Sequence, residues 1–186
     1  MKINAGEIRV GMLLEYKNDL WLVLKTQHVK PGKGGAFAQV EMKSVGKNTK
    51  LNERFRSSET VEKASLEETD FNYLYDDENN YIFMNPKTFE QIEIKKGLIG
   101  EKGKLMTENL KVSVSFHNEN PISVELPNQV TCKIETTDVA LKGQTVSSSY
   151  KPATLNNGLN IQVPPFIDSG DEVIVDTRTL EYIKKI

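Results

Sequence analysis

The sequence predicts an all-β chain built as small barrels in series, and three observations carry that expectation. Short alternations of apolar and polar residues recur along the chain. Ala38, Val40 and Met42 fall on one strand face with Gln39 and Glu41 on the other, and Leu110, Val112, Val114 and Phe116 alternate strictly with polar neighbours. Turn-forming residues punctuate these runs, as at Asn18-Asp19 and Gly46-Lys47-Asn48. Finally, 186 residues with 38% hydrophobic content suit several small cores better than one large one.

Taken in order, residues 1–64 hold expected strands at 13–16, 20–24, 37–42 and 50–56, with 61–63 closing the unit. So many short strands in so little chain predict an SH3-like barrel. Residues 65–127 begin at a polar junction, Glu67-Glu68-Thr69-Asp70, followed by strands at 71–75 and 81–84 around the Asp76-Asp77-Glu78-Asn79-Asn80 turn. That acidic turn lacks the spacing of a calcium loop. A short helical piece broken by Gly100 and Gly103 is expected within 97–106. Strands at 110–116 and 122–126 flank a turn, His117-Asn118-Glu119-Asn120-Pro121, which places His117 as an exposed turn residue. A five-stranded barrel with a small helix is the OB-fold recipe. Residues 128–186 repeat the theme, with strands at 130–136, 159–163, 172–176 and 181–185 and a long polar loop over 137–152.

Charge is unevenly spread. Residues 1–64 carry 12 Lys and Arg against 7 Asp and Glu, residues 65–127 carry 6 against 12, and residues 128–186 carry 6 against 7. Phosphate would be drawn to the first third and repelled by the second. The single cysteine, Cys132, excludes an internal disulfide and a cysteine zinc cluster, and its alternation with Val130 and Ile134 makes it a buried strand residue. No apolar run approaches a membrane span and no signal-peptide core is present, so a cytoplasmic protein without membrane contact is expected. Only His28 and His117 could serve a histidine-based triad, and no zinc, redox or dinucleotide motif occurs. The expectation is a non-enzyme with no metal and no cofactor.

The most distinctive stretch is Val29-Lys30-Pro31-Gly32-Lys33-Gly34-Gly35-Ala36-Phe37, between two apolar runs. It reads as a hairpin tip. Pro31 fixes its own φ and biases Lys30 toward an extended form. Gly32, Gly34 and Gly35 allow positive φ and close approach. From Leu20 to Val40 there are three lysines and one histidine and no Asp or Glu. Lys33 is therefore an amine on a slim, bare loop, suited to insertion into something negatively charged. The stretch is not a phosphate-cradling P-loop, because Lys33 is followed by Gly34. Arg54 and Arg56 share one strand face and can reach phosphate. The loop that holds Lys142, Gly143, Gln144, Thr145, Tyr150 and Lys151 has the small polar residues, aromatic and lysines of a nucleic-acid contact. The two arginines equally suit a solvated strand face, and the pattern of the loop favours an ordinary exposed loop over a contact.

These residues resemble the bacterial translation elongation factor P family over essentially the whole chain. Lys30-Pro31-Gly32-Lys33-Gly34-Gly35-Ala36-Phe37 is similar to that family's first-domain loop. Phe83-Met84-Asn85 with Thr88-Phe89-Glu90-Gln91 is similar to its second domain. The run Lys151-Pro152-Ala153-Thr154-Leu155-Asn156-Asn157-Gly158-Leu159-Asn160-Ile161-Gln162-Val163-Pro164 resembles its long C-terminal signature, and Asp176-Thr177-Arg178-Thr179 with Glu181-Tyr182 resembles its closing strand. The resemblance implies a KOW-like, SH3-like barrel over 1–64 and OB-fold barrels over 65–127 and 128–186, arranged in an L. It implies a monomer on the ribosome (rRNA) between the peptidyl and exit tRNA sites, in contact with peptidyl-tRNA and with exit-site mRNA or tRNA. There it would relieve stalling at consecutive prolines. Lys33 aligns with a lysine that many members carry lengthened by a modifying enzyme, and it would order the CCA end of peptidyl-tRNA. Lys30 would add a phosphate contact.

Two positions depart from the family pattern. Gln144 stands where members often have Asp, and it can still hydrogen-bond to base edges with a changed preference. Leu180 stands where many have Gly. A paralogous elongation factor P-like protein is the nearest competing reading, and the intact Lys-Pro-Gly-Lys-Gly tip argues against it. A general OB-fold RNA-binding protein is the competitor from another class, and the acidic middle third argues against that.

Overall fold

A computed structural model describes residues 1–139 and 149–186, and the described chain is all-β, with three sheets and one short helical passage. It packs as two compact units. One comprises residues 1–68 with 115–122, the other residues 69–114 with 123–186.

The first sheet holds β1 (Lys2–Asn4), β2 (Leu13–Tyr16), β3 (Asp19–Val29), β4 (Phe37–Ser44), β5 (Lys50–Arg56) and β6 (Thr60–Ala64), in the order β1-β6-β2-β3-β4-β5. Alternation decides what faces in: Ala38, Val40 and Met42 are fully buried, as are Leu14 and Val23, with Phe55 beside them. The 3-10 turn Ala5–Glu7 joins the open ends. Ala5 N donates to Glu59 O (2.8 Å) and Gly6 N to Ser57 O (3.2 Å). The expected turn Asn18-Asp19 sits one residue earlier. Lys17 and Asn18 take the left-handed pair of conformations (φ 50° and 59°), so Asp19 is released to start β3. β1 escaped the sequence because three residues carry no periodicity. β3 runs five residues past the expected strand, and its partner strand holds it there.

The second sheet holds β7 (Glu67–Asp76), β8 (Asn80–Met84), β9 (Gln91–Lys95), β10 (Lys111–His117) and β11 (Asn120–Glu125), ordered β11-β10-β7-β8-β9. Glu67 to Asp70 are strand residues and not a junction. Polar side chains on an exposed face leave the backbone free to pair. The Asp76–Asn80 turn forms as expected, with Asp77 Oδ1 accepting from the Asn79 and Asn80 amides. The helical passage is α1 (Lys96–Ile99) followed by a 3-10 turn, Gly100–Leu105. Gly100 ends the helix at φ 71°, whereas Gly103 is no breaker. A Cβ there would lie 2.3 Å from Tyr81 Oη, so only glycine lets the tyrosine ring close over the turn. The tight turn before β11 is Asn118-Glu119, both at positive φ. His117 therefore ends β10, half buried, with Nδ1 2.9 Å from Ser65 O, and Pro121 lies in an edge strand that needs no amide there.

The third sheet holds β12 (Gln129–Thr137), β13 (Lys151–Leu155), β14 (Asn160–Val163), β15 (Glu172–Asp176) and β16 (Glu181–Lys185), ordered β14-β13-β12-β15-β16. β13 begins inside the stretch read as loop, because Pro152 reads as a strand breaker. Val130, Cys132 and Ile134 face Val173 and Val175 in a core that also takes Leu105. Cys132 is buried as expected, and burial pushes its thiol pKa up. Among the described residues no helix is long and apolar enough to cross a membrane, and no cluster of His, Cys, Asp or Glu is placed to hold a metal ion.

Candidate nucleic-acid interface

β3 and β4 stay paired out to Val29↔Phe37, and β5 supports the same end through Phe37↔Arg56. Under this three-stranded stem lie Ala38, opposite both His28 and Phe55, and Phe55 itself, 2% exposed, with the Tyr16 ring edge-on at 5.3 Å. Burying an aromatic there stabilises the stem by about 2–3 kcal/mol. The stem is thus a packed part of the barrel, and residues 30–36 beyond it form the tip.

Residues 30–35 are all exposed. One foot of the tip is fixed by the Ser57 amide donating to Ala36 O at 2.9 Å. Of the three glycines, Gly34 alone takes positive φ (117°), so the backbone and not crowding selects glycine there. A Cβ on Gly32 or Gly35 would meet nothing within 4 Å. Those two keep the neck bare and do not supply the unusual conformation the sequence allowed them. Neither Lys30 nor Lys33 makes an ion pair or side-chain hydrogen bond among the described residues.

That freedom contrasts with other cations of the same unit. Lys17 donates to Glu53 at 3.2 Å, which raises the lysine pKa and lowers the carboxyl one, and Lys47 and Lys50 face Asp19 and Glu41 at 3.5 and 3.6 Å. Arg54 and Arg56 belong with the unpaired group. Both are exposed on one face of β5, and no carboxylate meets either guanidinium among the described residues. The Arg54 guanidinium carbon lies 3.5 Å from the centre of the Phe37 ring. Gly35, Ala36, Phe37, Arg54, Arg56 and Ser57 line a concavity of about 700 Å³ at the foot of the tip. The structure thus joins Gly35 of the tip to the two arginines. The parts the sequence did not reveal are the Phe37 ring under Arg54 and the Ser57 rim. They follow from the Phe37↔Arg56 register, which cannot be read from either strand alone.

The other expected contacts lie in the second unit. Tyr150 is exposed, with its ring edge-on to Tyr182 at 6.5 Å, and the two rings line a concavity of about 480 Å³ with Asn160, Gln162 and Leu180. Lys151 starts β13, and its ammonium is bonded to Asp138 O, so its charge is not bare. Lys142, Gly143, Gln144 and Thr145 lie outside the described residues. The Leu180 departure keeps the turn it occupies. Leu180 adopts φ 60°, a conformation natural to glycine, and its amide donates to Asp176 O at 2.8 Å.

Comparison with known proteins bears on the whole chain. Family models described as "Elongation factor P (EF-P) KOW-like domain", "Elongation factor P (EF-P) OB domain" and "Elongation factor P, C-terminal" match residues 4–61, 66–124 and 130–185. The chain is 80% identical over 186 residues to "Elongation factor P" of Pelagibacter ubique, covering 100% of each. It is 49% identical to the protein of that name from Bartonella bacilliformis, covering 100% of this chain and 98% of that one. It is 50% identical to that of Brucella ovis over 185 residues, covering 100% of each. The three family models together span nearly the whole chain and the relatives match it end to end, so the chain belongs to the elongation factor P family, whose members are translation factors and not enzymes.

Proposed function

We propose that this elongation factor binds the ribosome between the peptidyl and exit tRNA sites, as a monomer in the cytoplasm, and stimulates peptide-bond formation at consecutive prolines. The observation that carries the reading is Lys33. It is a cation without an ion partner among the described residues, held clear of a rigid three-stranded stem by a loop with no bulk at Gly32 or Gly35. Proline is a rigid, poor participant in peptide transfer. A positive arm reaching the CCA end of peptidyl-tRNA lowers the barrier by ordering that end, while the chemistry stays with RNA. Arg54, Arg56 and Lys30 supply phosphate contacts that set the register of the barrel on tRNA. The Lys142–Thr145 segment, with Tyr150 and Lys151, faces exit-site mRNA or tRNA. A lysine-modifying enzyme that lengthens Lys33 extends its reach, and the bare neck admits that enzyme as it admits the ribosome.

The test is reconstituted translation of a message with consecutive proline codons. Adding the purified protein should relieve the pause at those codons and leave proline-free messages unchanged. Relief of other stalls with none at prolines would point to a paralogous role. Tight, salt-sensitive binding to free RNA with no effect on translation would point to a general RNA-binding protein. The mass of the Lys33 peptide from native cells shows whether a group is added and which one.

A further inference from the structure

The loop between β8 and β9 holds a feature that the tip and its basic surroundings do not use. Phe89 sits there at φ 61°, a conformation that is an outlier for a bulky residue, and its side chain is 70% exposed. Both conditions oppose folding, the first by backbone strain and the second by leaving an aromatic ring in water. The loop nonetheless enforces them. Asn85 N donates to Glu90 O and Phe89 N to Asn85 O, each at 2.9 Å. The Asn85 Oδ1 accepts from the Lys87 and Thr88 amides, and Thr88 Oγ1 from that of Glu90. The amides of Lys87, Thr88, Phe89 and Glu90 all have a partner within the loop, so the ring is presented on a fixed support.

The charge around it narrows what it meets. Residues 69–95, which include β8, β9 and most of β7, carry six Asp and Glu against two lysines, Lys87 and Lys95. Of the six, Asp70 and Asp76 are paired with Lys111 and Lys96. A nucleic-acid backbone is repelled by such a surface, and a basic protein surface is attracted to it. We propose that Phe89 is an anchor for a protein partner: a ribosomal protein surface that offers an apolar pocket rimmed by Lys or Arg. A rigid aromatic seated in a pocket within a complementary charge field has the form of an interface hot spot. This proposal rests on the reading that the ribosome is the partner.

The test uses the full chain and salt-washed 70S ribosomes. Phe89→Asn replaces the ring with a residue that tolerates left-handed backbone, so the variant should melt no lower than the parent. Its ribosome affinity should fall about tenfold or more at fixed salt, in line with the loss of an aromatic anchor. A photo-crosslinking phenylalanine at position 89 should join to a ribosomal protein through a peptide rich in Lys or Arg. Unchanged affinity overturns the proposal, as does a crosslink to RNA or to a second copy of this chain. Failure of the parent itself to bind ribosomes would instead overturn the functional reading.

Discussion

Two hairpin turns of this protein, one in each unit, use charge in opposite ways. The tip over 30–36 keeps Lys30 and Lys33 unpaired among the described residues and has a backbone anchor at Ala36. The turn after β15 spends its charge on itself. Asp176 Oδ1 accepts from the amides of Arg178 and Thr179, and its Oδ2 accepts from Arg178 Nη2 at 2.9 Å. The Arg178 hydrogen bonds hold the Asp176 carboxyl down at about 2. The difference teaches where to look for function. A charge consumed by its own turn is structural, whereas a charge kept bare on a rigid stem is available to another molecule.

The comparison breaks most severely at the stem. Phe55→Ala removes the fully enclosed ring beneath the tip and should cost about 3–5 kcal/mol, read as a lowered denaturation midpoint of the first unit. Proline rescue should fall with it, because the tip would lose its support. If the midpoint moves by less than about 1 kcal/mol, the stem is not the packed platform described above.

Asp176 sharpens the other side. Its pKa is depressed in the folded chain, so the stabilisation is present above its ordinary value of 3.8 and is lost as pH falls from there toward about 2. Thermal melts between pH 5 and pH 2 should therefore show a steeper loss for the parent than for Asp176→Asn, with the two curves converging at the acid end. Parallel curves would show that the turn's charge does not stabilise it. Leu180→Gly should have a smaller effect. Glycine relieves the left-handed strain at φ 60° but gives up the packing of Leu180 against the third core. Those terms oppose each other, and the net change should stay within about 1 kcal/mol. A large gain would mean the side chain contributes nothing to the core.

Much of this was legible in the sequence. The all-β class followed from alternation, and Leu13–Tyr16, Lys50–Arg56 and Glu181–Lys185 lie where the pattern put them. The strands that escaped share a physical reason. β1 has three residues, β9 offers two apolar side chains, and β13 contains Pro152, so each is held by its neighbours and not by its own pattern. The tip was legible because Pro31, Lys33 and the glycines declare themselves locally. The Arg54–Phe37 stack was not, since it exists only once β4 and β5 are in register. The same holds for Phe89, whose sequence neighbourhood gives no sign of a left-handed backbone.

Lys33 tests the separation of folding from function most directly. Lys33→Ala should melt within about 0.5 kcal/mol of the parent, as befits an exposed side chain without partners among the described residues. In the same preparation it should fail to relieve the pause at consecutive prolines in reconstituted translation. Full relief by that variant would contradict the assignment of Lys33 as the working end of the molecule.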